Sequence, residues 1–204
     1  MGNDEDSIPF VLASASPRRR MLLDMIGLKF TVVPPSFEED SVVCDDPPER
    51  VLRLAREKAL KVKKQVTTGV ILGADTLVVQ DGRILEKPFS RDDAANMLSS
   101  LSNNWHEVYT GLHLVDAGNG SDTSSYEMTR VRFRKMDNRE INVYLKTGEP
   151  MDKAGSYGIQ GFGGIFIKRI EGCYFNVVGL PLTRLMMLLD ELGYFYDFEY
   201  LRRK

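Results

Sequence analysis

Val70-Ile71-Leu72-Gly73-Ala74-Asp75-Thr76-Leu77-Val78-Val79-Gln80-Asp81-Gly82-Arg83-Ile84-Leu85 is the stretch on which the fold turns. Residues 70–74 are a continuous apolar run, which reads as a central strand buried on both faces. Asp81-Gly82 is a two-residue turn signal between 77–80 and 83–85, which makes those two segments a hairpin. A strand buried on both faces needs helices above and below it, and a hairpin needs antiparallel pairing. The two together predict an α/β fold with a mixed, antiparallel-containing twisted sheet flanked by helices.

Upstream of it, 10–13 is a short apolar strand. Ser16 suits an N-cap, Pro17 the first helical position and Gly27 the stop of a helix over 17–26. Residues 29–33 read as a strand ended by Pro34-Pro35, and an acidic loop runs over 38–46. Asp46 and Glu49 have capping-box spacing for a helix reaching about residue 66. Downstream, Ser90 caps a helix through Leu101. Strands over 105–115 and 126–133 flank a polar stretch, 116–125, marked for a tip or a lobe boundary. Asp137 and Glu140 open a helix that ends near Gly148-Glu149-Pro150. A glycine-rich loop covers 155–164, a last hairpin pairs 165–170 with 173–178 about Glu171-Gly172, and 182–192 is the final helix. The predicted organisation is a flexible start (1–9), one domain (10–193) and a tail (194–204).

The chain has 204 residues, 43% hydrophobic and 27% charged, an ordinary globular composition long enough for a sizeable core. Its net charge of −2 gives no field toward nucleic acid or anionic membrane. A polyanionic ligand must therefore meet a local positive cluster. No apolar run approaches the ~18 residues of a membrane span. The start is acidic and lacks the apolar core of a signal peptide. A myristoylation motif at Gly2 would want Ser or Thr where Asp6 stands. Two cysteines, Cys44 and Cys173, argue for reduced thiols and a cytoplasmic location.

Four segments carry chemistry. Ser14-Ala15-Ser16-Pro17-Arg18-Arg19-Arg20 joins a strand end to a helix start, where backbone N–H groups and the positive dipole end face outward. Three arginines there oppose the dipole, and a docked polyphosphate would offset the conflict. The plainer reading is that they splay into water or pair with Asp24 and the acidic loop. On a helical wheel with Val51 at 0°, Ala55, Ala59, Val62 and Val66 extend an apolar stripe to about 80°, with Lys58 near −20°. Lys58 therefore either snorkels to the surface or points into a cleft. Asp75 follows the buried strand, where carboxylates of α/β folds meet metals and substrates. Glu38-Glu39 offers a second carboxylate or merely a solvated face, and Mg²⁺ takes one or two carboxylates plus phosphate oxygens. Last, Asp152-Lys153-Ala154-Gly155 with Tyr157-Gly158-Ile159-Gln160-Gly161 brings glycines that let backbone approach a ligand, or simply make tight turns. It is neither a Walker A loop nor a dinucleotide fingerprint. No zinc-type His/Cys cluster occurs; His106 and His113, an odd number apart in one strand, point to opposite faces. There is no Gly-x-Ser-x-Gly elbow.

These segments resemble, in order and in register, the Maf family of nucleoside triphosphate pyrophosphatases. The resemblance rests on Ser14-Ala15-Ser16-Pro17-Arg18-Arg19, the Glu39 region, Leu54-Ala55-Arg56-Glu57-Lys58-Ala59, Gly73-Ala74-Asp75-Thr76, Leu85-Glu86-Lys87-Pro88, Asp152-Lys153-Ala154-Gly155, Ile159-Gln160-Gly161 and Asn176-Val177-Val178-Gly179-Leu180-Pro181. It spans about 10–193. It implies two lobes around a central cleft and release of pyrophosphate with a divalent cation, Mg²⁺ or Mn²⁺. Carried over, Asp75 resembles the general base and, with Glu39, a metal ligand. Ser14, Arg19, Lys58 and Lys87 resemble phosphate ligands. Arg18, Thr76 and Gln160 match the positions that mark the branch acting on dTTP and UTP. A glutamine amide, donor and acceptor at once, suits the O4/N3–H edge of uracil or thymine. The implied partners are the triphosphate substrate and, compatibly with the family, a second copy in a homodimer; nucleic acid and membrane are not among them. The departures are the stretch 116–125 and the tail. Three other readings share these residues: an inactive nucleotide-binding regulator, a nucleic-acid module built on Arg18–Arg20, and a house-cleaning enzyme for modified bases. The net charge speaks against the second.

Overall fold

The computed structural model describes residues 7–36 and 44–204. Its strands are β1 (Phe10–Ala13), β2 (Thr31–Val32), β3 (Val70–Gln80), β4 (Arg83–Leu85), β5 (Trp105–Asp116), β6 (Asp122–Phe133), β7 (Ile167–Glu171), β8 (Tyr194–Tyr196) and β9 (Leu201–Arg203). Its helices are α1 (Pro17–Ile26), α2 (Pro47–Lys63), α3 (Arg91–Leu101), α4 (Asn138–Lys146), α5 (Tyr174–Val178) and α6 (Leu182–Glu191). Short 3₁₀ turns cover Glu149–Asp152, Ala154–Ser156 and Phe162–Phe166. The main sheet runs β2-β1-β3-β5-β6-β7, with β4 on β3, and β8-β9 form a separate pair. β1 lies parallel to β2 and β3, whereas β4 on β3 and β7 on β6 are antiparallel. The sheet is mixed, as the stretch 70–85 predicts.

The described residues fall into two compact units. One holds the residues up to Asp75 with Thr110–Glu127 and Gly179–Lys204; the other holds Thr76–Tyr109 and Met128–Val178. In the first unit β1 and β3 pair from Phe10↔Val70 to Ala13↔Gly73. Ala59 and Val62 of α2 pack with Val11, Ala13, Ile71 and Val115. Gly73 sets the depth of that packing. A Cβ there would overlap the Ala55 carbonyl and sit 2.9 Å from the Ala59 nitrogen, so α2 rests its backbone directly on β3. The terminal hairpin is tied down rather than loose. Tyr194 donates to Asp116, Tyr196 to the Ile26 carbonyl, and the Ile8 N–H to the Leu201 carbonyl at 2.8 Å. Ile8, which the sequence groups with a flexible start, is thus bridged to β9.

The second unit is built around Leu98, Leu101, Val131, Phe133, Ile141, Tyr144 and Phe166. Its helices α3 and α4 start as predicted. Ser90 accepts the Asp93 N–H at 3.1 Å, and Asp137 and Glu140 make a complete capping box. The β3–β4 turn has φ 49° at Asp81 and 76° at Gly82, both positive as a type I′ hairpin requires.

Several local expectations are corrected. Residues 70–80 are one strand, not two, so Asp75 sits inside β3 rather than at its end. Residues 173–178 are not the second arm of a hairpin: 174–178 is helix α5, and β7 pairs with β6 instead. The aromatic and β-branched residues there favour strand, but burial of Asn176 wins. Its amide donates to the Val108 carbonyl and to Thr129 Oγ1, each at 2.9 Å. The stretch 116–125 is a tip, as expected, but a short one: 117–121 turn from β5 into β6, closed by an Asp116 N–H to Ser121 carbonyl bond at 2.9 Å, and 122–125 already belong to β6. Ser16 stands at the N-cap of α1 but makes no side-chain cap bond. At α2 the Asp46 carboxylate does accept the Glu49 N–H, while the Glu49 side chain pairs with Arg53.

Candidate active site

Asp75 and Lys58 meet because of how α2 lies on β3. Residues 73 and 75 share one face of the strand, about 6.6 Å apart along it. Ala55 and Ala59 press on that face at Gly73. Lys58, one residue before Ala59, then reaches Asp75, Nζ to Oδ1 at 2.6 Å. Both residues are buried, Lys58 at 7% exposure and Asp75 at 6%. The helical wheel left Lys58 a choice between snorkelling and pointing inward, and it points inward.

Ser14 and Arg19 form a second group in the same unit. The pairing Ala13↔Gly73 brings the end of β1 level with the residues just before Asp75. Ser14 Oγ accepts the Ser16 N–H and Arg19 Nη1, each at 3.1 Å. Arg19 Nε donates to the Gly179 carbonyl at 2.9 Å, and the side chain is 8% exposed. The three arginines therefore divide. Arg19 is held inside, Arg18 is half-buried, and Arg20 takes the plainer course of an exposed pairing with Asp24 at 3.7 Å. Gly179 belongs to the 176–181 motif, and its carbonyl is what that motif contributes here. α1 has no acidic residue in its first turn, so no carboxylate of its own competes there with an anion.

In the other unit, Thr76 continues β3, half-buried, and Lys87 is exposed just after β4. The Lys87 segment is tied to the 152–155 motif, since the Gly155 N–H donates to the Glu86 carbonyl at 3.2 Å. Gly155 has φ 67°, and a Cβ would come 2.9 Å from Val78 Cγ1, so only glycine fits. Gln160 is exposed between two 3₁₀ turns. A residue that the sequence reading passed over, Glu149, organises this loop: its carboxylate accepts the N–H groups of Phe162 and Gly163 and the Tyr144 hydroxyl. Its one trace in the sequence is its place in Gly148-Glu149-Pro150, which reads only as a helix end.

Both histidines are buried and weakly basic. Burial pushes His106 down to about 3, and its Nε2 lies 2.7 Å from the Tyr157 hydroxyl. Burial, assisted by Arg56 and Lys63 and opposed by Asp122, holds His113 at about 4, with Nδ1 2.6 Å from Ser124 Oγ. Both are neutral at pH 7. Glu39 lies outside the described residues. Among those described, no three His, Cys, Asp or Glu side chains gather into a metal-binding group. Asp75 is a hard oxygen donor beside the Lys58 ammonium. That donor set suits a cation such as Mg²⁺, which binds through one or two carboxylates and the phosphates of its substrate, and not an all-protein cage. No helix among the described residues is long and apolar enough to cross a membrane.

With this geometry in place, comparisons with known proteins agree with one another. The family model for Maf-like proteins matches residues 9–192. A dTTP/UTP pyrophosphatase of Clostridium tetani is 45% identical over 187 residues, covering 90% of this chain and 97% of that one. Proteins of the same name from Syntrophomonas wolfei subsp. wolfei and Ruminiclostridium cellulolyticum are each 48% identical, over 89% and 90% of this chain and 96% and 95% of theirs.

Proposed function

Because the chain belongs to the Maf-like protein family, we propose that it hydrolyses nucleoside triphosphates, dTTP and UTP foremost, to the monophosphate and pyrophosphate. The observation that carries this reading is the buried 2.6 Å contact of Lys58 with Asp75, next to the end of β1, after which Ser14 is held by Arg19 of α1. A carboxylate able to take a proton, set among cations and hydroxyls able to hold phosphate, is what anhydride hydrolysis needs.

Asp75 takes a proton from the attacking water. The water oxygen bonds to the α-phosphorus, the bond from that phosphorus to the bridging oxygen breaks, and pyrophosphate leaves with the electron pair. Lys58 orients the carboxylate, and Lys58, Arg19, Ser14 and Lys87 offset phosphate charge. The chemistry depends mainly on positioning and charge stabilisation, because phosphoryl transfer asks little covalent work of a protein. A divalent cation, Mg²⁺ or Mn²⁺, would be held by Asp75 with Glu39 and would neutralise charge on the triphosphate. The two thiols, Cys44 and Cys173, are both free, which supports a cytoplasmic location.

Product identity tests the reaction. UTP incubated with the protein and Mg²⁺ or Mn²⁺ yields UMP and pyrophosphate on a chromatogram. UDP and free phosphate would place the cleavage elsewhere and reject the assignment, and no turnover of any triphosphate would favour a nucleotide-binding regulator.

Base choice is assigned to Gln160, with Thr76 and Arg18. A site built to hydrogen-bond a base disfavours one that leaves its polar groups unpaired. dTTP and UTP therefore outrank ATP and GTP, with CTP between them because its amino group demands a flipped amide. Gln160→Leu lowers kcat/KM for UTP more than for ATP, roughly tenfold or more in the ratio, since only UTP loses a matched pair. Equal losses on the two substrates would show that Gln160 serves the loop's shape and does not read the base.

A further inference from the structure

Glu149 stands three residues past the end of α4 and faces the glycine-rich loop from within the same unit. Oε1 accepts the Tyr144 hydroxyl at 2.8 Å and the Gly163 N–H at 3.0 Å, and Oε2 accepts the Phe162 N–H at 2.9 Å. The Tyr144 hydroxyl in turn accepts the Gly158 N–H at 3.3 Å. Lys153 braces the anchor from behind, Nζ to the Glu149 carbonyl at 2.8 Å. One carboxylate thereby secures both ends of the segment 158–163, and Gln160 is inside that segment.

The glycines fit this anchor. A Cβ on Gly161 would overlap Glu149 Oε2, and one on Gly163 would come 2.6 Å from the Tyr144 hydroxyl. The carboxylate fills the space that a side chain at 161 would take. Burial would raise the Glu149 carboxyl, but the Gly163 N–H, the Tyr144 hydroxyl, the Phe162 N–H and Lys153 outweigh it and hold it below the usual range. Burial first, then Glu149, pushes the Tyr144 hydroxyl up, so it stays a donor at neutral pH. The anchor is an ionised acceptor facing three donors, and such bonds are roughly twice as strong as neutral ones.

We propose that Glu149 is the positioning residue for base selection: through Tyr144 and the N–H groups of Phe162 and Gly163 it holds the loop in the conformation from which Gln160 meets the base. This rests on the reading of Gln160 as the base-contacting residue. Glu149 itself touches no substrate in this role. Replacing the carboxylate with an amide leaves Oε1 in place but sets an NH₂ against the Phe162 N–H, donor against donor.

The test compares kcat/KM for UTP and ATP in wild type, Glu149→Gln, Gln160→Leu and the double variant, with amide exchange at Phe162 and Gly163 followed alongside. Glu149→Gln lowers the UTP-over-ATP ratio roughly tenfold, mostly through KM for UTP, and speeds exchange at both amides by about the same factor, as loss of a hydrogen bond to a charged group implies. The double variant discriminates no worse than the poorer single one, because both changes act on one contact. Should Glu149→Gln not fold, Tyr144→Phe removes one donor and the Gly158 acceptor while keeping the ring, and lowers the ratio in the same direction. A wild-type ratio in the folded variant, or equal losses for UTP and ATP, overturns the proposal. An unchanged ratio in Gln160→Leu ends the reading of Gln160 and overturns the positioning role with it, whereas a lowered ratio there beside a wild-type ratio in Glu149→Gln overturns the positioning role alone.

Discussion

Asp75→Asn removes turnover, with kcat lower by about 100- to 10,000-fold, the span that general-base catalysis supplies. The amide keeps the shape of the carboxylate, and its oxygen can still accept from Lys58 Nζ where Oδ1 now does, at 2.6 Å. What it cannot do is take a proton from water, and it is a poor metal ligand. The backbone of β3 is unaffected, so circular dichroism stays that of the folded protein. The buried ammonium of Lys58 then faces a neutral partner, so the melting temperature falls by some degrees even though the fold persists. Steady-state rates on UTP together with a thermal melt check both parts. Near-wild-type kcat in folded Asp75→Asn would exclude Asp75 as the base, whatever the melt shows.

Lys58→Ala acts on both stability and rate. The side chains of Lys58 and Asp75 are each 9% exposed, so removing the lysine takes a close cationic partner from a buried carboxylate. Breaking such a pair from one side costs about 3–5 kcal/mol. For a chain of this size that is a fall of roughly 6–20 °C in melting temperature. Catalysis loses a preorganised cation, for which about 100- to 1,000-fold in kcat/KM is expected by analogy with a lost oxyanion donor. The two effects separate in Lys58→Met/Asp75→Asn. With both charges of the pair removed, its melting temperature recovers much of the loss while activity does not. A Lys58→Ala protein with wild-type kcat/KM and melting temperature would make the lysine a bystander.

Much of the fold is legible residue by residue because the signals are local. Gly27 stops α1 in a left-handed conformation, φ 80°, which glycine adopts without steric cost. Asp137 and Glu140 cap α4 three residues apart, and Asp81-Gly82 turns its hairpin in two. Such features need only neighbours, so spacing reveals them. Residues 173–178 mislead for the opposite reason. Their strand-like composition is local, but Asn176 is bonded to Val108 and Thr129, 68 and 47 residues away, and those bonds decide for a helix. Glu149 is opaque in the same way, with partners at Phe162 and Gly163 that lie 13 and 14 positions on.

By itself the sequence determined the α/β class, the mixed sheet and most helix starts, since apolar periodicity, caps and turns are settled within a few residues. It also singled out candidate side chains for the chemistry. Only the tertiary structure decided what they do to one another. Lys58 on a helical wheel could equally reach water or the interior. Gly73, by having no side chain, lets the backbone of α2 settle onto β3, and at that depth a lysine is long enough to meet a carboxylate 17 residues away. Spacing cannot reveal that meeting, because it depends on how closely two elements pack and not on the order in which their residues occur.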